Sequence, residues 1–265
     1  MSEPPRLTVM DVDTGIDDAM ALALATRSPE LALLAATTLA GNVDVAQTTA
    51  NTLNVLAYLD VGDVPVHRGA SRALTRPHHD AAHFHGESGL GSAVLPASER
   101  GVAVERGPAA IIRNAVARPG ELTLICTGPL TNLAIALNVA PELPGLLRRV
   151  VIMGGAFTVK GNVTPYAEYN IFADPEAAKQ VFDTPFPELI VVGLDVTHQV
   201  ALPRAAWERA DRRAAAGTPA RLVVEVCREA FAKPGAAGIP LHDPLAAAVA
   251  FDPTLAQCEW RAIDV

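Results

Sequence analysis

The chain alternates between short apolar segments and longer segments in which apolar residues recur at helical spacing. Five segments are almost wholly apolar and rich in β-branched residues, which is typical of strands buried on both faces: residues 7–12, 33–39, 122–126, 150–153 and 189–194. Between them, Ala- and Leu-rich segments predict helices over residues 17–27, 45–59, 109–117, 130–139 and 175–182. This order predicts an α/β fold, with an open, mainly parallel, doubly wound sheet and helices on both faces.

Two stretches interrupt the pattern. Residues 68–105 are rich in His, Gly, Ser and Pro, and residues 154–173 are also irregular, so both are expected to be long loops of functional importance. Residues 203–233 predict two helices, broken near Gly217 and Pro219. No internal repeat or linker is evident, and residues 1–265 are expected to form a single domain.

The composition narrows the choice of partner. Half of the 265 residues are hydrophobic and the formal net charge is −8, so the chain offers nucleic acid or anionic lipid no general attraction. No segment approaches a membrane span and the N-terminus lacks a signal-peptide pattern, so a soluble cytoplasmic protein is expected. Cys126, Cys227 and Cys258 lie far apart, which predicts buried, reduced thiols rather than disulfides or a zinc ribbon.

The junction between the first predicted strand and the first helix is unusually acidic. Asp11, Asp13, Asp17 and Asp18 fall within eight residues. Mutual repulsion makes such a cluster costly to ionise unless a cation or shared proton neutralises it, so the cluster predicts a bound hard metal or acids with perturbed pKa values. Taken singly, Asp17 or Asp18 could equally complement the helix dipole, and Asp11 could belong to a structural hydrogen-bond network.

Further polar residues follow the other predicted strands or crowd the second irregular loop. Since ligands of open α/β sheets bind beyond the carboxyl ends of the strands, these residues are expected to face one crevice. Carboxylate and amide oxygens suit Ca²⁺ or Mg²⁺ and also bind sugar hydroxyls, which suggests a hydroxyl-rich substrate. The polar residues are Asn42, Thr127, Asn162, Glu168, Asn170, His242 and Asp243, and the apolar Met153 ends the predicted strand over residues 150–153 at the same crevice.

Four of the seven histidines, His78, His79, His83 and His85, lie within eight residues. A zinc site is disfavoured because two of them are adjacent and no cysteine supports them. A polar lid that bends at the glycines of HGESGLG, residues 85–91, fits better.

Eight strings of the sequence together resemble the inosine-uridine-preferring nucleoside hydrolases, over about residues 7–253. They are VDTGIDDAMAL, the GN at Gly41, HGESGL, TGPLTN, VIMGGAF, GNVTPYAEYNIFADPEAA, GLDVTH and LHDPLA. The resemblance implies a Rossmann-like core and hydrolysis of ribonucleosides to ribose and free base. It also implies nucleoside salvage or catabolism of purines and pyrimidines, and a homodimer or homotetramer.

The resemblance further implies a Ca²⁺ cofactor held by Asp13, Asp18, Asp243 and the carbonyl oxygen of Thr127. The resemblance also assigns residues to each part of a bound nucleoside. Asp17 and Asn170 would hold the ribose diol, Asn162 and Glu168 would reach the 5′ hydroxyl, Asn42 and Met153 would lie against the sugar, and His85 would approach the base.

Two residues are implied to be catalytic. Asp13 would deprotonate the attacking water, and His242 would protonate the departing base, because imidazole titrates near neutral pH. A histidine at this position resembles the less base-selective branch of the family.

Three departures from the family pattern stand out. Thr14 replaces the usual proline of the first motif, and the helix before LHDP carries Phe231 as its single aromatic, with Arg228 as an unusual polar neighbour. Phe231 is therefore the expected aromatic contact of the base. The chain also ends at Val265, sooner than the family pattern leads us to expect.

Two other functions remain alternatives. A non-catalytic ribose- or nucleoside-binding protein is disfavoured because the metal ligands and the water-activating acid are all present. A haloacid-dehalogenase-like phosphatase, with Asp11 as nucleophile and Asp13 as acid, is disfavoured because none of the three lysines precedes a suitable acidic pair.

Overall fold

The structure, a computed structural model, describes residues 4–265 and is built on a six-stranded parallel sheet. The strand order is β3-β2-β1-β4-β5-β6, the order of a doubly wound sheet whose direction of winding reverses between β1 and β4. The strands are β1 (Arg6–Val12), β2 (Leu31–Thr38), β3 (Val66–Arg68), β4 (Leu122–Cys126), β5 (Leu147–Met153) and β6 (Leu189–Val192). A separate antiparallel pair joins β7 (Ala201–Pro203) to β8 (Gly238–Pro240).

Helices connect the strands and cover both faces of the sheet. They are α1 (Ile16–Arg27), α2 (Val45–Tyr58), α3 (Ala82–His85), α4 (Gly107–Ala117), α5 (Thr131–Val139), α6 (Leu143–Leu146), α7 (Tyr169–Ala173), α8 (Pro175–Phe182), α9 (Leu194–Thr197), α10 (Arg204–Arg213), α11 (Pro219–Ala232) and α12 (His242–Phe251), with a 3₁₀ turn at Pro253–Leu255.

Two apolar cores form, one on each face of the sheet. On one face, side chains from β1 such as Met10 pack with α1, α2, α11 and α12. On the other face, Val9 packs with α4, α5 and α8. Alternate residues of β1 thus point into different cores, as the pleat of a strand requires. Burial of β1 on both faces explains why its sequence is almost continuously apolar.

The predicted α/β architecture is confirmed, and the differences lie in short elements. All five predicted strands form, but β3, β7 and β8 were not predicted. Each of these has three residues, and Pro203 and Pro240 end the last two. Such segments are too short to show a period of two, and proline lacks the N–H group that a strand ladder needs.

Other expectations can also be compared with the structure. Cys126 and Cys227 are buried free thiols, as predicted, whereas Cys258 is exposed, which corrects the expectation of three buried cysteines. Cys258 follows the last helical turn, where no layer of the fold covers it. None of the helices within residues 4–265 is long and apolar enough to cross a membrane.

The start of α2 depends on a side-chain cap that can be tested. Asp44 accepts hydrogen bonds from the backbone N–H groups of Ala46 and Gln47 at 2.8 and 2.9 Å. Removing such a cap costs about 1 kcal/mol. We expect Asp44→Ala to lower the free energy of unfolding by about that amount in urea denaturation. Asp63→Ala, which removes an exposed loop carboxylate, is the control, and an equal effect of both variants would contradict a role for the cap.

Candidate functional site

A cavity of about 330 Å³ opens at the carboxyl ends of the central strands. This is the place where doubly wound sheets bind their ligands, and the volume suits a small molecule. Ten of the residues predicted from the sequence line it: Asp17, Asn42, His85, Thr127, Met153, Asn162, Glu168, Asn170, His242 and Asp243. Within residues 4–265, no Lys or Arg side chain lines this cavity.

Asp18 is fixed at the start of α1 by donors from three segments. One of its carboxylate oxygens accepts hydrogen bonds from the backbone N–H of Gly15 at 2.9 Å and from Asn42 Nδ2 at 3.2 Å. The other accepts from the hydroxyl of Thr127 at 2.7 Å. These bonds tie the loops after β1, β2 and β4 to a single carboxylate, so the position of Asp18 follows from the parallel sheet.

Asp13 does not line the cavity and packs against two glycines, Gly41 and Gly128. Its Oδ2 accepts a hydrogen bond from the backbone N–H of Asn42 at 2.7 Å. A Cβ atom added at Gly41 would lie 2.0 Å from Asp13 Oδ2, and one added at Gly128 would lie 2.7 Å from Asp13 Oδ1. Only glycine therefore leaves room for this carboxylate. Asp13 Oδ1 is buried and has no hydrogen-bond partner among the described residues.

Burial and mutual repulsion raise the pKa values of the clustered carboxylates. Burial, followed by repulsion from Asp18, raises the pKa of Asp13 well above its usual value. Burial and then repulsion from Asp17 raise the pKa of Asp18 to about 6, and burial with the charges of the same cluster raises the pKa of Asp243 strongly. A nearby cation would relieve both the repulsion and the loss of hydration.

The donor set fits a hard divalent cation. Oxygens of Asp17, Asp18 and Asp243 lie within 4.8 Å of one another. Asp17 Oδ1, like Asp13 Oδ1, is buried without a hydrogen-bond partner in the described part of the chain. The carboxylate oxygens that come together favour Ca²⁺ or Mg²⁺ over zinc. The close group contains Asp17 instead of Asp13, whereas the family resemblance implies that Asp17 binds the sugar.

The opposite wall is built around α7. Asn170 Nδ2 donates to the carbonyl oxygens of Thr127 at 2.7 Å and Met153 at 3.0 Å. Glu168 caps α7, accepting from the N–H of Asn170 at 2.9 Å and from the N–H of Gly155 at 3.1 Å. Burial raises the pKa of Glu168 to about 7. The amide and the acid are therefore held in place before any ligand binds.

Two histidines at the rim are held by different partners. The backbone N–H of Ile16 donates to His85 Nδ1 at 3.1 Å, which leaves Nε2 to carry the proton of the neutral ring. His242 Nδ1 lies 2.8 Å from the hydroxyl of Thr197. Burial lowers the pKa of both His85 and His242.

The structure also corrects individual expectations. Phe231 does not line the cavity and is 2 % exposed in the core, where it packs against Trp207 and Arg204. Arg228 points to Asp211 and Glu225, at the surface of α10 and α11. The pattern of α11 showed an aromatic residue but could not show that this residue is buried in the core and contacts Trp207 of α10.

Asp11 lies outside the cavity. It is fully buried, accepts hydrogen bonds from Thr37 Oγ1 at 2.5 Å and Asn132 Nδ2 at 2.8 Å, and has a pKa raised by burial to about 7. This position contradicts Asp11 as the nucleophile of a phosphatase and supports the structural network.

The cavity also includes residues that were not assigned to the site from the sequence. His83 lies within the histidine-rich segment, His198 ends the GLDVTH string, and Phe84 and Tyr169 add aromatic surface. Each of these residues lies next to a motif that was recognised in the sequence, but the direction of its side chain depends on the conformation of the loops.

Thr14, at the position of the missing proline, anchors its turn by a 2.7 Å hydrogen bond to the hydroxyl of Thr52 in α2.

Comparison with known proteins gives consistent matches. Residues 8–265 match the family described as inosine-uridine preferring nucleoside hydrolase. A pyrimidine-specific ribonucleoside hydrolase of Salmonella enteritidis is 43% identical over 246 residues, covering 89% of this chain and 76% of the relative.

Solved structures agree with the sequence matches. A plant nucleoside hydrolase has a TM-score of 0.88 at 37% identity, covering 96% of this chain and 81% of the relative. A purine-preferring ribonucleoside hydrolase from Gardnerella vaginalis has a TM-score of 0.87 at 34% identity, covering 95% of this chain and 82% of the relative.

The raised pKa values predict how a cation changes stability with pH. Asp18 and Glu168 keep protons in the folded state up to about pH 6 and 7, whereas the unfolded chain releases them near 3.8 and 4.5. Their contribution to the free energy of unfolding therefore falls as pH rises from about 4 to 7. A divalent cation favours the ionised forms, so we expect CaCl₂ to raise the melting temperature more at pH 7 than at pH 5, relative to EDTA.

Differential scanning fluorimetry measures this difference, with Asp18→Asn as the variant that should respond little to the cation at either pH. A Ca²⁺-induced increase that is equal at both pH values, or larger at pH 5, would contradict the assignment.

Proposed function

Because the chain belongs to the inosine-uridine preferring nucleoside hydrolase family, and is therefore an N-glycosyl hydrolase, we propose that it uses Ca²⁺ to hydrolyse ribonucleosides to ribose and free base. The observation that carries this proposal is at the cavity floor, where oxygens of Asp17 and Asp243 lie within 4.8 Å of each other and of the fully buried Asp18. Asp17 and Asp243 line the cavity, and no Lys or Arg within residues 4–265 does so. A neutral, hydroxyl-rich ligand and a divalent cation suit that floor together.

Asp13, Asp18, Asp243 and the carbonyl oxygen of Thr127 would hold the Ca²⁺ ion. The unpartnered Oδ1 of Asp13 and the raised pKa values of the cluster support this assignment. Bound Ca²⁺ would lower the pKa of water and help to orient the sugar hydroxyls.

The sugar would be held by residues whose side chains already line the cavity. Asp17 offers carboxylate oxygens and Asn170 offers Oδ1, because Asn170 Nδ2 already donates to the carbonyls of Thr127 and Met153. Both side chains can therefore accept hydrogen bonds from the hydroxyls of the ribose diol. The remaining polar contacts would be Asn162 and Glu168 at the 5′ hydroxyl, with Asn42 and Met153 against the ring. Since Asn170 and Glu168 are fixed by backbone groups, little side-chain entropy would be lost on binding.

Asp13 would act as the general base. Its carboxylate interacts electrostatically with those of Asp18 and Asp17, so it would lie within reach of a water molecule at the cation site and would take the proton of that water. As the glycosidic bond breaks, the ribosyl group becomes oxocarbenium-like, and the surrounding carboxylates stabilise its positive charge.

The base would leave towards the histidine-rich rim. His242 would supply its proton, and His85 would donate a hydrogen bond from Nε2 to a base acceptor. A relative named for pyrimidine nucleosides is 43% identical to this chain, and one named for purine nucleosides is 34% identical with a TM-score of 0.87. We therefore propose that both inosine and uridine are substrates.

The activity can be tested by measuring ribose release from inosine, uridine, cytidine and adenosine. We expect release from inosine and uridine, loss of release after treatment with EDTA, and recovery when CaCl₂ is added. Asp18→Asn should lose most activity because it removes a charge from the metal site. Folded wild-type protein that releases ribose from none of them in CaCl₂ would contradict the hydrolase and favour a binding role.

The role of His242 predicts a dependence on the leaving group. General acid catalysis contributes about 10²- to 10⁴-fold, so His242→Ala should lower kcat on inosine by that range. A ribosyl substrate with a nitrophenolate leaving group needs no proton and should be hydrolysed nearly as fast by the variant. An equal loss on both substrates would contradict proton donation by His242.

A further inference from the structure

Thr197, in the string GLDVTH, contacts His242, the proposed general acid. Thr197, the last residue of α9, is fully buried, and its hydroxyl lies 2.8 Å from His242 Nδ1. Within residues 4–265, this is the one hydrogen bond that the Thr197 hydroxyl makes. With Nδ1 engaged, Nε2 is the ring nitrogen available to a ligand in the cavity that His242 lines.

The hydroxyl itself is held in place by the sheet. Leu194, the first residue of α9, donates its N–H to the carbonyl of Gly155 at 2.9 Å, and Thr197 donates its N–H to the carbonyl of Gly193 at 3.1 Å. Leu194 is fully buried in the core between the sheet and α12. The position of the Thr197 hydroxyl is therefore set by the strand ends that form the cavity, not by a mobile surface loop.

We propose that Thr197 is a positioning residue, which acts through His242 by holding the imidazole with Nε2 towards the leaving base. The inference rests on the proposed hydrolase function and adds to it a residue that does not touch the substrate. His198 adds a second constraint, since its ring lies edge-on to that of His242 with centroids 5.8 Å apart.

A hydroxyl suits this task because it both donates and accepts hydrogen bonds. In the imidazolium form, Nδ1–H donates to Thr197 Oγ1. The electron pair of the broken N-glycosidic bond passes to the base, which takes the proton from Nε2, while water loses a proton to Asp13 and its hydroxide joins the anomeric carbon. The neutral ring that remains keeps Nδ1–H on Thr197, so no ring rotation accompanies the transfer.

The partner of the second rim histidine differs in kind. His85 Nδ1 accepts from the backbone N–H of Ile16, a group that can only donate. That bond requires an unprotonated Nδ1, so it holds His85 neutral. The two histidines that line this cavity thus have different partners. The partner of His85 keeps its ring neutral, so His85 can only donate a hydrogen bond, whereas the partner of His242 allows its ring to give up a proton.

The experiment compares Thr197→Val, which removes the hydroxyl and keeps the shape, with Thr197→Ser, which keeps the hydroxyl. We expect Thr197→Val to lower kcat on inosine about 10-fold or more, with KM changed less than about 2-fold, and Thr197→Ser to recover most of it. Hydrolysis of the nitrophenyl riboside should be nearly unchanged. In a His242→Ala background, Thr197→Val should have no further effect, because Thr197 acts through the ring.

Thr26→Val is the matched control, since the Thr26 hydroxyl bonds to the Leu22 carbonyl at 2.8 Å in α1, away from the cavity. Melting temperatures show whether each variant is folded. If wild-type protein is active and Thr197→Val has the same kcat on inosine, the inference is overturned. It is also overturned if Thr197→Val lowers kcat in the His242→Ala background as much as it does in the wild type. Wild-type protein that releases no ribose would instead overturn the proposed function, and with it the catalytic role of Thr197.

A spectroscopic measurement tests the contact without any hydrolysis. In protein labelled with ¹⁵N-histidine, the ring signals of His242 are identified by their loss in His242→Gln. We expect the Nδ1 signal to shift in Thr197→Val and to stay near its wild-type position in Thr197→Ser. An Nδ1 signal that is unchanged in Thr197→Val would show that the hydroxyl does not hold the ring.

Discussion

The repulsion between buried carboxylates at the carboxyl end of β1 is the constraint on which the rest of the site depends. Asp13, Asp18 and Asp243 are each nearly inaccessible to solvent, with raised pKa values. Water cannot hydrate these charges, and within residues 4–265 no Lys or Arg faces them across the cavity. A divalent cation is the simplest group that allows them to ionise together.

The fold provides hydrogen-bond donors and space for the buried carboxylates without a bound cation. Backbone and side-chain donors from the loops after three parallel strands meet Asp13 and Asp18. Gly41 and Gly128 leave space that any side chain would fill. The same strand ends place Asn170 and Glu168 on the facing wall, so the carboxylate cluster and this wall are held by one set of strand ends.

The sequence predicted the long elements and the acidic floor for physical reasons. Strands buried on both faces are apolar throughout, and carboxylates that follow such strands must gather at one edge. It could not predict β3, whose three residues lie at the edge of the sheet, or the direction of Phe231, which depends on the packing of α10 against α11. The contact between Thr197 and His242 joins residues 45 positions apart and becomes visible only in the folded chain.

The most direct test of the carboxylate site is a calorimetric titration of metal-free protein with CaCl₂ near pH 6.5, repeated in buffers of different ionisation enthalpy. If the cluster holds protons that the cation displaces, a single ion should bind and protons should be released to the buffer, and Asp18→Asn should weaken the binding strongly. Absence of binding, or binding with the same heat in every buffer, would contradict the central claim that these acids form a cation site.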